Sequence, residues 1–526
     1  MPWLDLNLSF NQDMDQIEQT LIAGKMTEMD LKQIINNEIS EWEASDELKW
    51  MKIGYRYYRN DTDIKDRVRT AVGDSGALEP VANLANNKLI NAFTRKLVDQ
   101  KVGYLLSKPM SVRTDDDVYQ DHLNTYFDKK FLRQIQSLGT ESINKGIAWL
   151  HPYYDDNGKL RFMITPSEQC IPIWRDAAHT ELQAMIRYYQ VQVYEGKDRK
   201  TYTKVEWWDT TGVRRFVQNG NDLIPDVDYM QLFGRSLQGF VFNDDDFDKI
   251  QKGITESRYP HFFANVDGVN KPFLFGRVPF IAFKYNDDEL PLVKLVKSLV
   301  DDYDKQKSDN ANNLEDLPNS IYVVKNYGDT KGAEFRKNIA LYRVVFVDEE
   351  GDVKAISIPI DTEAFKNHQA TNRKDIYEFG RGVDTQNENF GNASGVALKF
   401  LYADLDMDCN IIENQFQAAL EQLKWFIDTD LANKGLGDFF EKEVEFIFNR
   451  DIMINEAEVI QSIRDSIGIL SDETLVAQHP WVTDAKAELK RRSEQLEKEE
   501  KQLGTYGNWG NDPAGGEDDA KQMDVG

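Results

Sequence analysis

Two cysteines in 526 residues, Cys170 and Cys409, are too few and too far apart to build a disulfide framework. A cytosolic protein without disulfides is expected. No stretch comes near eighteen uninterrupted apolar residues, so neither a transmembrane helix nor a membrane partner is expected. The first residues, MPWLDLNLSFNQDMDQ, have neither the basic start nor the long apolar core of a secretory signal. The six histidines (122, 151, 179, 261, 368 and 479) are scattered, with no H-E-x-x-H or Cys/His cluster to hold zinc. Positive charge is also short: 63 Lys and Arg against 90 Asp and Glu leave a formal net charge of −27. A tight nucleic-acid binder carries a basic face, so this balance argues against a protein that grips DNA. It permits a wall that encloses DNA while like charge keeps adhesion low. Solubility is the plainer account of the acidity.

What is present is a globular profile, 41% hydrophobic and 11% aromatic, long enough for two or three domains. Thr27 and Asp30 open a helical pattern whose apolar positions are Leu31, Ile34, Ile35, Ile39 and Trp42. A second pattern runs through Leu89, Phe93, Leu97 and Leu105 to the stop at Pro109, and a further helix is expected over Lys129 to Lys145. The texture then becomes β-rich. IAWLHPYYDDNGKLRFMIT reads as a hairpin turning at Asp156-Asn157-Gly158, and three more strand patterns follow. Asn219 to Asn270 reads as an irregular, loop-rich insertion. RVPFIAFKYN is a last strand, placed at an edge by Pro279.

Helical periodicity returns at Leu292, Leu295, Val296, Leu299 and Tyr303. A small β-rich unit follows, with a strand at NSIYVVKNYG, a short helix at TKGAEFRKNI and two strands around Glu350-Gly351-Asp352. Another helical stretch leads to the polar RGVDTQNEN. A long amphipathic helix is marked by Leu401, Leu405, Ile412, Phe416, Leu420, Leu423 and Ile427, long enough to kink or to serve as a strut. The remainder is helical and charged, and the Gly- and Asp-rich end reads as disordered.

Sites of chemistry are hard to find. FGNASGVALK, residues 390–399, has glycines like a phosphate-cradling loop, but the spacing is wrong, no Lys-Ser/Thr pair follows, and no strand precedes it. GRGVDT, from Gly380, starts like a dinucleotide fingerprint and puts Thr385 where the third glycine belongs. DLDMD (Asp404, Asp406, Asp408) looks like the start of a calcium loop but lies in a helical pattern, with Cys409 in place of the turn glycine. A solvated helix face is the better account. NDDDFD, residues 243–248, reads as a charged loop. Ser394 lacks the strained elbow of a serine nucleophile and is better explained as a helix cap. No catalytic residue, metal or cofactor is expected.

Three segments in order carry a family resemblance: YYRNDTDIKDR with NNKLINAFTRKLVDQKVGYLLSKPM, the helix–small β unit–helix order from Asp288 to Gly380, and FGNASGVALKFLYADLD. Together they resemble the portal (head–tail connector) proteins of tailed bacteriophages, of the type found in long-tailed phages of Gram-positive hosts. The resemblance covers about Glu41 to Gln502. It implies an α+β portal fold assembled as a homo-oligomeric ring, usually of twelve subunits, at one capsid vertex, with double-stranded DNA passing through its centre.

The implied parts are a wing over residues 1–287, β-rich from about 147 to 285, a stem helix over 288–317 and a clip over 318–361. A second stem helix follows over 362–382, then a tunnel loop over 383–393, a long wing helix and wing return over 394–454, a helical crown over 455–503 and a disordered tail over 504–526. The implied partners are the terminase large subunit, the major capsid and scaffolding proteins, and head-completion or adaptor proteins. The implied location is the virion, with assembly in the host cytoplasm.

On this resemblance Val383, Asp384, Thr385, Gln386, Asn387, Glu388, Asn389, Phe390, Gly391 and Asn392 would face DNA. Gly382, Gly391 and Gly395 would act as hinges and Ser394 as helix cap. Lys331, Arg336, Lys337 and Arg343 in the clip would guide DNA or meet an acidic partner. Lys294, Lys297, Lys366, Arg373 and Lys374 would pair between subunits with Asp301, Asp302 and Asp304. Two other classes compete: a nucleic-acid enzyme of the packaging machinery, and an acidic scaffold or chaperone-like binding protein.

Overall fold

The computed structural model describes residues 28–506 apart from 73–76, 81–84, 156, 228, 230–257, 267–268, 316–319, 326–349, 358–361, 387–399, 451–455 and 483–484. The chain forms two compact units: one built from the chain up to residue 387 and from 401 to 451, the other from 388 to 400 and 452 onward.

The first unit opens with α1 (Glu28–Ala44) and α2 (Asp46–Tyr58), separated by Ser45, whose hydroxyl caps α2 by accepting from the Leu48 N–H at 3.1 Å. Leu31, Ile35 and Ile39, spaced by four, form the buried face of α1. They pack on Ile171, Ile173, Ala184, Ile186, Val205, Trp207 and Phe216 of the large sheet. Short strands β1 (Thr70–Val72) and β2 (Leu78–Pro80) precede α3 (Phe93–Leu106), β3 (Ser111–Arg113), α4 (Asp117–Tyr126) and α5 (Lys129–Lys145). Asp128 starts α5 by accepting from the Lys130 and Phe131 amides. Gly146, at φ 87°, ends it, so both boundaries fall where the sequence pattern puts them. A side chain at Gly54 would lie 1.8 Å from the Asn144 carbonyl, so α2 and α5 cross at backbone contact.

Strands β4 (Ile147–Tyr154) and β5 (Leu160–Thr165) form the expected hairpin. Gly158 sits at φ 68°, and Asp155 accepts from the amides of Asn157 and Lys159. The large antiparallel sheet is a meander of β6 (Cys170–Trp174), β7 (Leu182–Glu195), β8 (Asp198–Asp209), β9 (Gly212–Asn219) and β10 (Asp222–Pro225), with β11 (Arg258–Tyr259) also on β9. β12 (Phe262–Val266) and β13 (Val269–Phe273) form a hairpin of their own. The stretch from Asn219 to Asn270, expected to be irregular, is therefore ordered strand at both ends. Its middle, with residues 243–248, lies outside the described residues. Among the described residues β14 (Ile281–Lys284) pairs with β4 alone and is an edge, in keeping with Pro279.

Helices α6 (Val293–Glu315) and α7 (Thr362–Phe379) pack antiparallel, with Asn372 meeting Leu299 and Asp302, and His368 meeting Asp302. Between them β15 (Ser320–Lys325) pairs with β16 (Asp352–Ser357). The expected short helix and the strand before Glu350 lie outside the described residues. The buried face of α6 is Val293, Val296, Val300 and Tyr303, whereas Leu295 is half exposed. With six apolar residues between 292 and 300, periodicity alone fits two adjacent faces. The buried face continues in polar residues, Asp304, Ser308 and Asn312.

These polar residues hold a segment that the sequence assigns to a helix. Residues 85–92 are not helical; helix α3 starts only at Phe93. The amides of Asn87, Leu89 and Asn91 donate instead to Asn312 Oδ1, Ser308 Oγ and Asp304 Oδ1 at 2.6, 2.9 and 2.9 Å. Side chains four apart on α6 thus act as the missing strand neighbour for an extended strap.

Helix α8 (Ala403–Asn433) is a single 31-residue helix, with Leu405, Ile412, Phe416, Leu420, Leu423 and Ile427 buried as the pattern requires. The unit closes with β17 (Glu445–Ile447) on β3. The second unit contains α9 (Glu456–Asp465), α10 (Asp472–Ala477) and α11 (Ala485–Tyr506). Ser471 caps α10.

Candidate functional site

The described structure stops at Gln386 and resumes at Phe400, so it shows both roots of the glycine- and asparagine-rich stretch while residues 387–399 lie outside it. Both roots are held by α3, through Gln100, Lys101 and Tyr104.

At the first root, Gln100 pairs with the backbone of Val383 in both directions. Its Nε2 donates to the Val383 carbonyl at 2.7 Å, and the Val383 amide donates to its Oε1 at 3.2 Å. Lys101 Nζ donates to the Arg381 carbonyl at 2.9 Å. Arg381 lies in the left-handed region (φ 47°) between two glycines. A Cβ on Gly380 or Gly382 would stand 2.6 or 2.3 Å from the Leu97 side chain, so each is a glycine for close approach to α3. Arg373 grips the Asp384 carboxylate with two bonds of 2.7 and 2.6 Å, and Asp384 also accepts from the Gln386 amide. Burial works against ionising Asp384, but the Arg373 guanidinium prevails and holds its carboxyl below the usual range.

At the second root, Tyr104 donates to Asp406 Oδ1 at 3.0 Å and stacks on Tyr402. Asp406 is also paired with Arg450, which reaches Glu413 at 2.5 Å. Asp408 is buried and meets Lys101 Nζ at 2.7 Å, the Tyr285 hydroxyl at 2.8 Å and Arg381 Nη1 at 3.3 Å. Burial pulls the Lys101 ammonium below its ordinary pKa, against the attraction of Asp408.

The structure corrects several expectations. Val383, grouped with the DNA-facing residues, is 4% exposed beneath α3, and Asp384 is engaged by Arg373. Both are anchors because their polar groups are already satisfied within the chain. Gly382 serves close packing, not hinge freedom, because Leu97 fills the space beside it. Thr385 and Gln386 are exposed, with Thr385 3.4 Å from Lys96 Nζ. Asn387, Glu388, Asn389, Phe390, Gly391, Asn392, Ser394 and Gly395, and Lys331, Arg336, Lys337 and Arg343 of the clip, lie outside the described residues.

The expected solvated face of DLDMD holds for Asp404 and in part for Asp406, whose side chain is 44% exposed, but not for Asp408, a buried ion-pair partner. Lys297 and Arg373, expected to pair between subunits, have partners in their own chain: Asp63 and Asp301 for Lys297, Asp384 for Arg373. Sequence reasoning missed Lys101 and Asp408. Their signal was a lysine midway between Leu97 and Leu105 in an apolar stripe, and an aspartate beside the apolar positions Leu405, Cys409 and Ile412.

Among the described residues no group of three or more His, Cys, Asp or Glu could hold a metal ion, and no helix is long and apolar enough to cross a membrane. Residues 43–502 match the family described as phage portal protein, SPP1 Gp6-like. The chain belongs to that family. It is 29% identical over 477 residues to the portal protein of Bacillus phage SPP1, covering 90% of this chain and 88% of the relative. With the portal protein of Clostridium phage phiCD119 (strain Clostridium difficile/United States/Govind/2006) it shares 30% identity over 463 residues, covering 85% and 91%. Among solved structures, the neck of an empty GTA particle computed with C6 symmetry covers 77% of this chain and 97% of its own, at 11% identity and a TM-score of 0.41.

Membership makes this portal chain a structural protein of the phage particle, a head–tail connector with the DNA-channel role that belongs to the family. Its clamped roots bracket the stretch that the sequence likeness assigns to the channel loop.

Proposed function

We propose that twelve copies of this portal protein stand side by side as a ring at one capsid vertex, and that residues 385–393 of each copy form a joint collar around double-stranded DNA. The observation that carries this reading is the fixing of both roots of that stretch on one helix, α3, through Gln100, Lys101 and Tyr104. A segment presented to a moving duplex must be fixed at its ends.

Gln386, Asn387, Asn389 and Asn392 offer neutral polar contacts, and Glu388 adds repulsion. A collar of this kind touches phosphates without the counterion release that makes lysine-rich surfaces bind tightly. Each copy carries a net charge of −27, so the ring as a whole repels DNA and any basic residues that act on it are localised. Lys331, Arg336, Lys337 and Arg343 are assigned to the clip, guiding DNA or receiving acidic partners. The terminase large subunit docks there during packaging and head-completion or adaptor proteins later, while the major capsid and scaffolding proteins surround the ring. Assembly takes place in the host cytoplasm. The ring hydrolyses no ATP itself; that activity belongs to the terminase.

Negative-stain images of the purified protein test the reading. Rings of twelve with an open centre are expected, and a compact monomer would overturn it.

A further inference from the structure

We propose that Lys101 is a positioning residue that ties the two roots of the channel loop into one body. The tie stands on geometry alone; its purpose rests on the channel reading above. A single ammonium, 0% exposed, holds the Arg381 carbonyl of the first root at 2.9 Å and the Asp408 carboxylate of the second at 2.7 Å. Arg381 closes the triangle through Nη1 to Asp408 at 3.3 Å, and Tyr285 fills a further position on the same carboxylate.

Position 101 lies between Leu97 and Leu105, in a stripe where an apolar chain of similar length would pack. A buried ion pair confers little net stability over such a replacement, because desolvation offsets its attraction. What the charged pair adds is direction: the second root can leave α3 only by stranding the buried Lys101 charge, and the first only by giving up a hydrogen bond from that same ammonium. The described residues on either side of 387–399 are therefore held as one body with α3. The strap of residues 85–92, which leads straight into α3, is held by Asp304, Ser308 and Asn312 of α6. Displacement of α6 is accordingly passed to both roots together and not to one.

Hydrogen exchange on the assembled protein tests this. Gln100→Ala removes contacts to the first root only. Exchange is expected to rise about tenfold at residues 381–386, as loss of two hydrogen bonds implies, and to rise with it at residues 403–409. A rise confined to 381–386 would overturn the tie. The paired replacement Lys101→Met with Asp408→Asn keeps the shape and removes the charges. It is expected to fold and assemble, and adding Gln100→Ala to it is expected to leave 403–409 at the level of the paired variant. Persistent co-variation in that background, or failure of the paired variant to fold, would each overturn the proposal. Failure of the channel reading would look different, as absence of rings in the unaltered protein.

Discussion

Asn91 donates both its backbone N–H and its side-chain amide to one oxygen, Oδ1 of Asp304, at 2.9 and 2.8 Å. The other oxygen of that carboxylate accepts from the Thr62 hydroxyl at 3.0 Å. One buried side chain on α6 therefore holds the strap before α3 and the turn after α2.

Asp304→Ala strands three donors around a buried site and is expected to cost about 2–3 kcal/mol. Asp304→Asn is expected to cost under about 1 kcal/mol, because its carbonyl still serves Asn91 and its amide can donate to Thr62. Burial raises the Asp304 carboxyl pKa, so the native fold favours the protonated form. Its contribution is full below the unfolded value of about 4 and diminishes as pH rises through the folded one. Asp304→Asn removes that dependence. Denaturant midpoints of both variants, with pH as the second variable, check the pair.

Gly382→Ala places a methyl 2.3 Å from Leu97 Cδ2 and 2.9 Å from Gln100 Oε1. Overpacking of this kind is expected to cost about 1–3 kcal/mol. If Leu97 is the obstacle, Leu97→Ala and Gly382→Ala together should cost less than their sum. A double-mutant cycle on thermal or denaturant stability reads that coupling. Strict additivity would mean that the glycine is there for backbone freedom.

His151 sits under Phe280 and Trp208, with Nδ1 2.5 Å from the Pro279 carbonyl. Burial pulls its pKa down to about 4. In the unfolded chain the ring takes up its proton near pH 6.5, so between 6.5 and 4 the unfolded state binds more protons and stability falls with acidification. The loss should approach about 3 kcal/mol by pH 4. His151→Gln is expected to flatten that part of the pH profile, which tryptophan fluorescence in denaturant can follow.

Asn387→Lys with Glu388→Lys converts neutral and repulsive collar positions into cations. Each new phosphate contact should steepen the salt dependence of DNA retention by about 0.9 in log–log slope. Packaged DNA length is expected to fall. Normal packaging by the double variant would contradict the low-adhesion collar.

Local rules were enough for a good part of this fold. Asp128 and Gly146 bound α5, Gly158 marks the hairpin, and the stripe from Leu405 to Ile427 gives α8 its length, because each signal acts within a few residues. The portal family was likewise legible, in the residue order from Val98-Asp99-Gln100-Lys101 to the glycines after Phe390. Leu89 misled because its spacing fits a helix, while the partners that draw residues 85–92 into a strap lie more than 200 positions away on α6.

Sequence by itself determined the family, the succession of helical and β-rich parts and the absence of any familiar catalytic motif, since these depend on order and periodicity along the chain. Only the tertiary structure decided that Val383 and Asp384 are anchors, that Gly382 is a point of contact, and that Lys101 and Asp408 are buried together. Burial and ion pairing arise between residues hundreds of positions apart, and no local pattern records which of many acidic side chains a buried lysine will meet.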